Sequence, residues 1–246
     1  MKTVKKRRNP AYNRPKRAQD YSMRINSKAL SVSQKLIIAA AALCGVAIQT
    51  GTFTGFSNLS AFRMFTVLSN TLCAAYFLPA AVTIALSKNR DGGDSPLPFL
   101  KGICTMCISL TGIVAAAVLM QTVNFTSVAG IYAFILHIAT PVLTVSDWLL
   151  FDKKGRYGQW MPAAWTVAPL VYFVYIMISA DFPYVNPKNR YPYPFLDYEH
   201  MGMNAYLTAI AIITAVYVLF GYLIRFIDQK AVIEYSSKVQ NEAGKI

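Results

Sequence analysis

Six long apolar runs dominate the chain, at about 34–50, 62–86, 100–122, 129–151, 161–180 and 202–226. Each is near the roughly 20 residues that a helix rising 1.5 Å per residue needs to cross a bilayer. The connections between them are mostly short. The pattern predicts an all-α membrane protein, a single bundle of six transmembrane helices over residues 33–228. Residues 1–32 read as a basic, disordered tail and residues 229–246 as a second tail. The first run is the weakest, since its fully apolar stretch LIIAAAALCGVAI is short and Gly45-Val46-Ala47 offers a small-x-small cleavage pattern. The long basic region ahead of it, and the apolar residues Phe53 and Phe56 beyond, favour a retained helix.

Composition agrees, with 55% apolar and 14% charged residues, whereas roughly a quarter of a soluble domain is charged. A net charge of +13 raises nucleic acid as a partner, but the distribution of charge points elsewhere. Of the 24 Lys and Arg, only Arg63, Lys188 and Arg190 fall on one side of the alternating runs. The rest lie in the tails and in the second–third and fourth–fifth connections, which predicts cytoplasmic termini by the positive-inside rule. The basic tail then serves topology and anionic headgroups rather than nucleic acid. Cys44, Cys73, Cys104 and Cys107 all lie within apolar runs and read as packing residues. The Cys104-x-x-Cys107 pair lacks the second pair a zinc site needs.

Within the fourth run, GIYAFILHIATPVLTVSDWLLF, His137 is followed by no other ionisable side chain until Asp147. Such a group is costly to place in a bilayer and marks a candidate site. His137, Thr140, Thr144 and Asp147 follow three- and four-residue steps and share one helix face. In the second run Arg63, Thr66 and Asn70 do the same, with Ser69 alongside. Thr66 lies about 6 Å along its helix from Phe62 and His137 about 12 Å from Ala129, so the two can meet at similar depth. Gln49 and Asn124 sit near enough to the same end to join them. Asp147 is roughly 15 Å from His137 along the axis; it is expected to pair with a basic residue of the inner loops instead.

A hydroxyl becomes a useful nucleophile when a neighbouring base takes its proton. Histidine, with an ordinary pKa of about 6.5, suits that task. Thr66 and His137 are therefore a dyad candidate for acyl transfer, with Asn70 or Arg63 as oxyanion or pocket support. Each has a plain alternative. Thr66 can bond its own i−4 carbonyl, Asn70 can be interhelical glue, and Arg63 can snorkel to headgroups. The connection ADFPYVNPKNRYPYPFLDYEHMGMN (180–204) is rich in proline and aromatics. It reads as an interfacial belt or as a lid, with Tyr191, Tyr193, Phe195 and Asp197 the candidates. Asp197 and His200 are expected to be solvated, although a loop carboxylate folded over His137 stays open. The chain carries no G-x-S-x-G elbow, H-E-x-x-H helix, Walker loop or dinucleotide fingerprint, so no cofactor and no metal are expected.

The strings FRMFTVLSNTL, LHIATPVLTVSDWLLF and NRYPYPFLDYEHMG resemble recurring blocks of a six-helix integral membrane family. Its bacterial members are similar to this chain over roughly residues 35–225; its animal relatives are the androgen-induced and androgen-dependent regulator-like proteins. The resemblance implies a bacterial plasma-membrane protein and a membrane-embedded threonine hydrolase of lipid esters. It implies Thr66 as nucleophile and His137 as the second catalytic residue. The alternative is a non-enzymatic lipid-binding or proton-linked carrier that uses His137 as a binding or protonation site. Membrane lipids and a lipid-like small molecule are the expected partners, without nucleic acid; the oligomeric state stays open.

Overall fold

The computed structural model describes residues 24–55, 58–88, 94–118, 127–183, 185–186 and 190–243. The expected disordered tail as far as Met23, and Asn124 of the expected polar pocket, lie outside these residues. Among the described residues there is no strand, and six helical stretches are long and apolar enough to span a membrane. They are Lys28–Gln49, Phe65–Leu86, Pro98–Ala117, Ala129–Phe151, Met161–Ser179 and Met203–Val232. The protein is a multi-pass, all-helical membrane protein.

The boundaries differ from the apolar runs for local reasons. Helix α1 (Lys28–Gln49) starts ahead of its run because Ser27 caps it, its Oγ accepting the Leu30 N–H at 3.4 Å. Helix α2 (Phe65–Leu86) begins only after a 3₁₀ turn over Leu59–Arg63. Helix α3 spans Pro98–Val118. The fourth span is composite: α4 (Val128–Phe134), a π turn (Ile135–Ala139) and α5 (Thr140–Phe151). The fifth is α6 (Met161–Trp165) and α7 (Val167–Ser179). After the one-turn α8 (Tyr198–Met201), α9 runs from Met203 to Ala243. It passes well beyond residue 229, where a tail was expected, because residues 222–243 contain neither glycine nor proline.

One end of the bundle gathers the start of α1, residues 87–88 and 94–97, the 152–160 connection and Asp228 of α9. Lys28 Nζ donates to Ser87 O at 2.7 Å, Ser95 N to Asp152 Oδ1 at 3.1 Å and Gly155 N to Asp228 O at 3.1 Å. Just inside this end lies a buried ionic cluster. Lys35 Nζ reaches both Asp147 oxygens, at 2.9 and 3.1 Å, and donates to Ser31 Oγ at 2.9 Å. Lys101 also pairs with Asp147, and its Nζ is 3.7 Å from Asp152 Oδ2 and 4.2 Å from the Phe77 ring centroid. Two lysines against two aspartates leave no net charge to bury, which is what makes the arrangement tolerable. The partners of Asp147 thus come from α1 and α3, not from the loops, and Asp147 takes no part in orienting His137.

The opposite end carries residues 50–55 and 58–64 and the aromatic segment 190–202. That segment has a small core of its own, in which Leu196 and Tyr206 pack with Tyr172, Phe173 and Ile176 of α7. Arg190 ties it down by pairing with Asp181 and by donating to Glu199 Oε1 at 2.8 Å.

Candidate functional site

Pro141 organises the site. Having no N–H, it cannot donate into the helix, and its ring crowds the carbonyl one turn back. The chain responds with a π turn, in which the Thr140 N–H bonds Ile135 O rather than Leu136 O. Leu136 O would then depend on residue 141, which has no proton to give. Asn70 supplies the missing donor from α2: its Nδ2 lies 3.1 Å from Leu136 O and 2.9 Å from Thr66 O. Two glycines leave room for close approach around the turn. A Cβ at Gly45 would lie 2.6 Å from Leu136 Cδ2, and one at Gly112 would lie 3.1 Å from Pro141 Cβ. Helical π turns are frequent where a side chain must be aimed at a particular target.

The side chain aimed here is His137. Its Nδ1 lies 2.9 Å from Ala133 O, an oxygen that can only accept, so Nδ1 carries the proton. In the neutral ring Nε2 then presents its lone pair, and it lies 3.2 Å from Thr66 Oγ1. A backbone carbonyl, rather than a carboxylate, orients the imidazole. Thr66 is 8% exposed and sits in the first turn of α2, where backbone N–H groups have no intrahelical acceptor. Met64 at the N-cap offers no side-chain hydrogen bond to them.

Thr66 and His137 are brought together; Asn70 and Arg63 face other tasks. Both Asn70 contacts join α2 to the π turn, with the residue fully buried, so its amide protons do not face the cavity. Arg63, only 3% exposed, does not snorkel. Its Nε donates to Ser179 Oγ at 3.0 Å and its Nη2 to Arg190 O at 2.5 Å, so the fork braces α7 and the aromatic segment. The expectation of oxyanion support from these two is thereby corrected, because neither lines the cavity, and the Asn70 amide is taken up by two backbone oxygens. Ser69 bonds Thr111 Oγ1 at 2.8 Å and thus links α2 to α3.

Of the aromatic candidates, Tyr193 and Phe195 line the site and stack on one another with centroids 5.3 Å apart. Tyr193 precedes Pro194, which holds it extended at φ −137° and ψ 141°. It shares the cavity wall with Phe65, Thr66 and His137. Burial pushes the phenol above its ordinary pKa, so it is a proton donor at neutral pH. Tyr191 instead packs edge-on against Tyr198 and donates to Glu199. Asp197 caps α8 and pairs with His200 Nδ1 at 2.7 Å, not with His137.

These residues open onto a cavity of about 730 Å³, lined by α2, α3, α4, α7 and the aromatic segment, with Gln49 at its α1 edge. Its walls are apolar, including Leu110, Val114, Phe173 and Ile213, and among the described residues no Lys, Arg, Asp or Glu contributes to them. The size suits a small-molecule ligand, and the lining suits an uncharged one. Among the described residues no group of three or more His, Cys, Asp or Glu stands ready for a metal ion. Residue spacing points to Thr66 and His137; it misses Ala133, which contributes only a backbone oxygen. Comparison of the chain with protein-family models, with curated proteins and with solved structures returns no match.

Proposed function

We propose that the protein is an integral membrane hydrolase of uncharged lipid esters, with Thr66 as nucleophile and His137 as general base. One observation carries the reading: Thr66 Oγ1 lies 3.2 Å from His137 Nε2, while Nδ1 is held by Ala133 O at 2.9 Å. That is the nucleophile–base–orienter chain of covalent catalysis, with a carbonyl as the third member. As Thr66 Oγ1 adds to the ester carbonyl, its proton passes to Nε2. The imidazolium then protonates the departing alcohol as the C–O bond breaks, leaving an acyl-threonine. Water, deprotonated by the same nitrogen, adds to that acyl group and releases the fatty acid and Thr66.

The cavity supports the substrate class. A chain packed against Leu110, Val114, Phe173 and Ile213 meets apolar walls, and among the described residues no Lys or Arg lines them to hold a carboxylate. A charged headgroup therefore stays outside, towards the aromatic segment. We further propose that the basic end faces the cytoplasm, as the charge asymmetry expects, which sets the site in the outer half of the membrane. The resemblance of the Thr66 and His137 blocks to membrane threonine hydrolases points the same way.

The apolar cavity also favours a second reading, a non-enzymatic lipid carrier in which His137 is a binding site. An alkyl fluorophosphonate probe applied to the purified full chain in lipid nanodiscs separates the two. Covalent labelling that is lost in Thr66→Ala and strongly slowed in His137→Gln is the expected result. Labelling that survives Thr66→Ala overturns the nucleophile. A wild type that binds fatty esters without labelling or turnover establishes the carrier.

A further inference from the structure

Several polar side chains that line the cavity are committed to protein partners. Thr111 Oγ1 bonds Ser69 Oγ at 2.8 Å, Ser127 Oγ accepts the Gly130 N–H at 3.0 Å, and the Tyr172 hydroxyl donates to Arg63 O at 3.0 Å. Gln49 is different. The last residue of α1 lines the cavity half-buried. Among the described residues its carboxamide makes one hydrogen bond, from Nε2 to the Met64 thioether at 3.5 Å. Sulfur is a weak acceptor, so this contact steers the amide without satisfying it, and Oε1 stays available. Two neighbours fix its place relative to the dyad. Gly45, one turn earlier on the same face of α1, packs against Leu136, the residue before His137. Met64, which holds the amide, lies two residues before Thr66 and also lines the cavity. Gln49 therefore sits beside the reacting pair, at the end of the bundle that carries the aromatic segment. In the other direction, the Ser69–Thr111 bond sets Thr111 a turn deeper than Thr66, with Leu110 next to it in the apolar wall.

Resting on the hydrolase reading above, we infer that Gln49 is a specificity-determining residue whose carboxamide hydrogen-bonds a free hydroxyl on the alcohol part of the ester. The substrate is then the monoacyl ester of a short, uncharged diol or triol. A carboxamide offers a donor and an acceptor side by side, and a hydroxyl is an uncharged group that can answer either. A phosphate, carboxylate or ammonium headgroup would meet no counter-charge, since among the described residues no Lys, Arg, Asp or Glu lines the cavity. With the ester carbonyl at Thr66, the acyl chain runs towards Leu110 and the hydroxyl points to Gln49. A plain alkyl alcohol in the same place would cover Oε1 and Nε2 with methyl or methylene groups. The amide would lose water there without gaining a partner, which is how a polar site rejects an analogue lacking the hydroxyl. No bond to Gln49 forms or breaks; it holds the departing alcohol while Thr66 and His137 do the chemistry.

The test uses the full chain in nanodiscs with 2-hydroxyethyl decanoate and propyl decanoate, which differ by a hydroxyl in place of a methyl. Concentrations are counted in the lipid phase. Wild type should show kcat/KM about 10-fold higher for the hydroxyl ester, the effect of one hydrogen bond. Gln49→Met keeps the length of the side chain and removes the amide. It should bring the ratio down to the one that hydroxide ion gives in water. The same ratio in wild type and Gln49→Met overturns the Gln49 assignment and leaves the hydrolase intact, as does a wild type that favours propyl decanoate. A wild type that turns over neither ester and takes no fluorophosphonate label overturns the hydrolase, and the ester alcohol with it. Should Gln49→Met fold poorly, two ethers decide the matter on wild type alone. Decyl 2-hydroxyethyl ether should compete about 10-fold better than decyl propyl ether against an umbelliferyl fatty-acyl ester, and equal competition overturns the assignment.

Discussion

Asn70 Nδ2 donates to Leu136 O across 3.1 Å, filling a hydrogen bond that the helix containing Leu136 cannot make for itself. The vacancy arises where the π turn meets Pro141, and it is closed from a different span. The relationship makes the position of His137 depend on a residue that never touches it.

Asn70→Leu should therefore act at a distance. It leaves Leu136 O buried without its side-chain donor, a loss of about 1–3 kcal/mol. Chemical denaturation in mild detergent should show that loss. Fluorophosphonate labelling should fall with it, because the π turn is no longer pinned to α2.

Pro141→Ala tests the turn itself. A restored N–H allows the segment to close as regular helix, which turns His137 relative to Thr144 and Asp147. Stability should change little or rise, since proline within a helix costs about 3 kcal/mol where nothing compensates. Labelling of Thr66 should nevertheless collapse. A fully active Pro141→Ala would show that the π turn does not aim the imidazole.

The buried ionic cluster gives a prediction of sign. Asp147→Asn leaves Lys35 and Lys101 facing Asp152 alone, one positive charge in excess. Breaking a buried pair in this way costs about 3–5 kcal/mol. Adding Lys35→Met to Asp147→Asn restores neutrality, so the double variant should be the more stable of the two. Thermal unfolding followed by tryptophan fluorescence compares them directly; a double variant no better than the single would remove charge balance as the explanation.

Asp152 lies beyond the fourth span and gives a pH dependence. Burial alone would raise its pKa, but the nearby ammonium groups of Lys101 and Lys35 hold it below the ordinary carboxylate value. A lowered folded-state value stabilises the fold above the unfolded pKa of about 3.9. That contribution drains away as pH falls from there through the folded-state value. Wild type should thus lose stability below about pH 4, and Asp152→Asn should show a shallower acid decline across the same range.

Much of this was legible in the chain. Length and hydropathy gave six spans, and three- and four-residue steps put Thr66 and His137 on faces that could meet at one depth. What periodicity could not supply was the path of individual hydrogen bonds. Asn70 reads as a donor aimed into a pocket until the π turn shows a carbonyl in need of it. Arg63 reads as an end-of-helix cation because its acceptors, Ser179 Oγ and Arg190 O, lie more than a hundred residues away. Ala133 contributes only a backbone oxygen and leaves no trace in side-chain pattern. Lys35 was counted with the basic tail, yet the first turns of α1 carry it into the bundle, opposite Asp147.

The π turn has a consequence for how such a site is acquired or lost. It differs from regular helix by one surplus residue, and one residue of α-helix is worth about 100° of rotation. Deleting a single codon between 135 and 139 would re-register everything upstream of it, swinging Ala133 and the residues before it around the helix axis while α5 and its ion pairs stay in place. Thr66 would keep its setting and lose its neighbour. The Thr66–His137 contact is thus one in-frame deletion away from being lost in a bundle of nearly the same sequence, so alignments that place a gap in this stretch would separate chains that retain the pair from chains that do not.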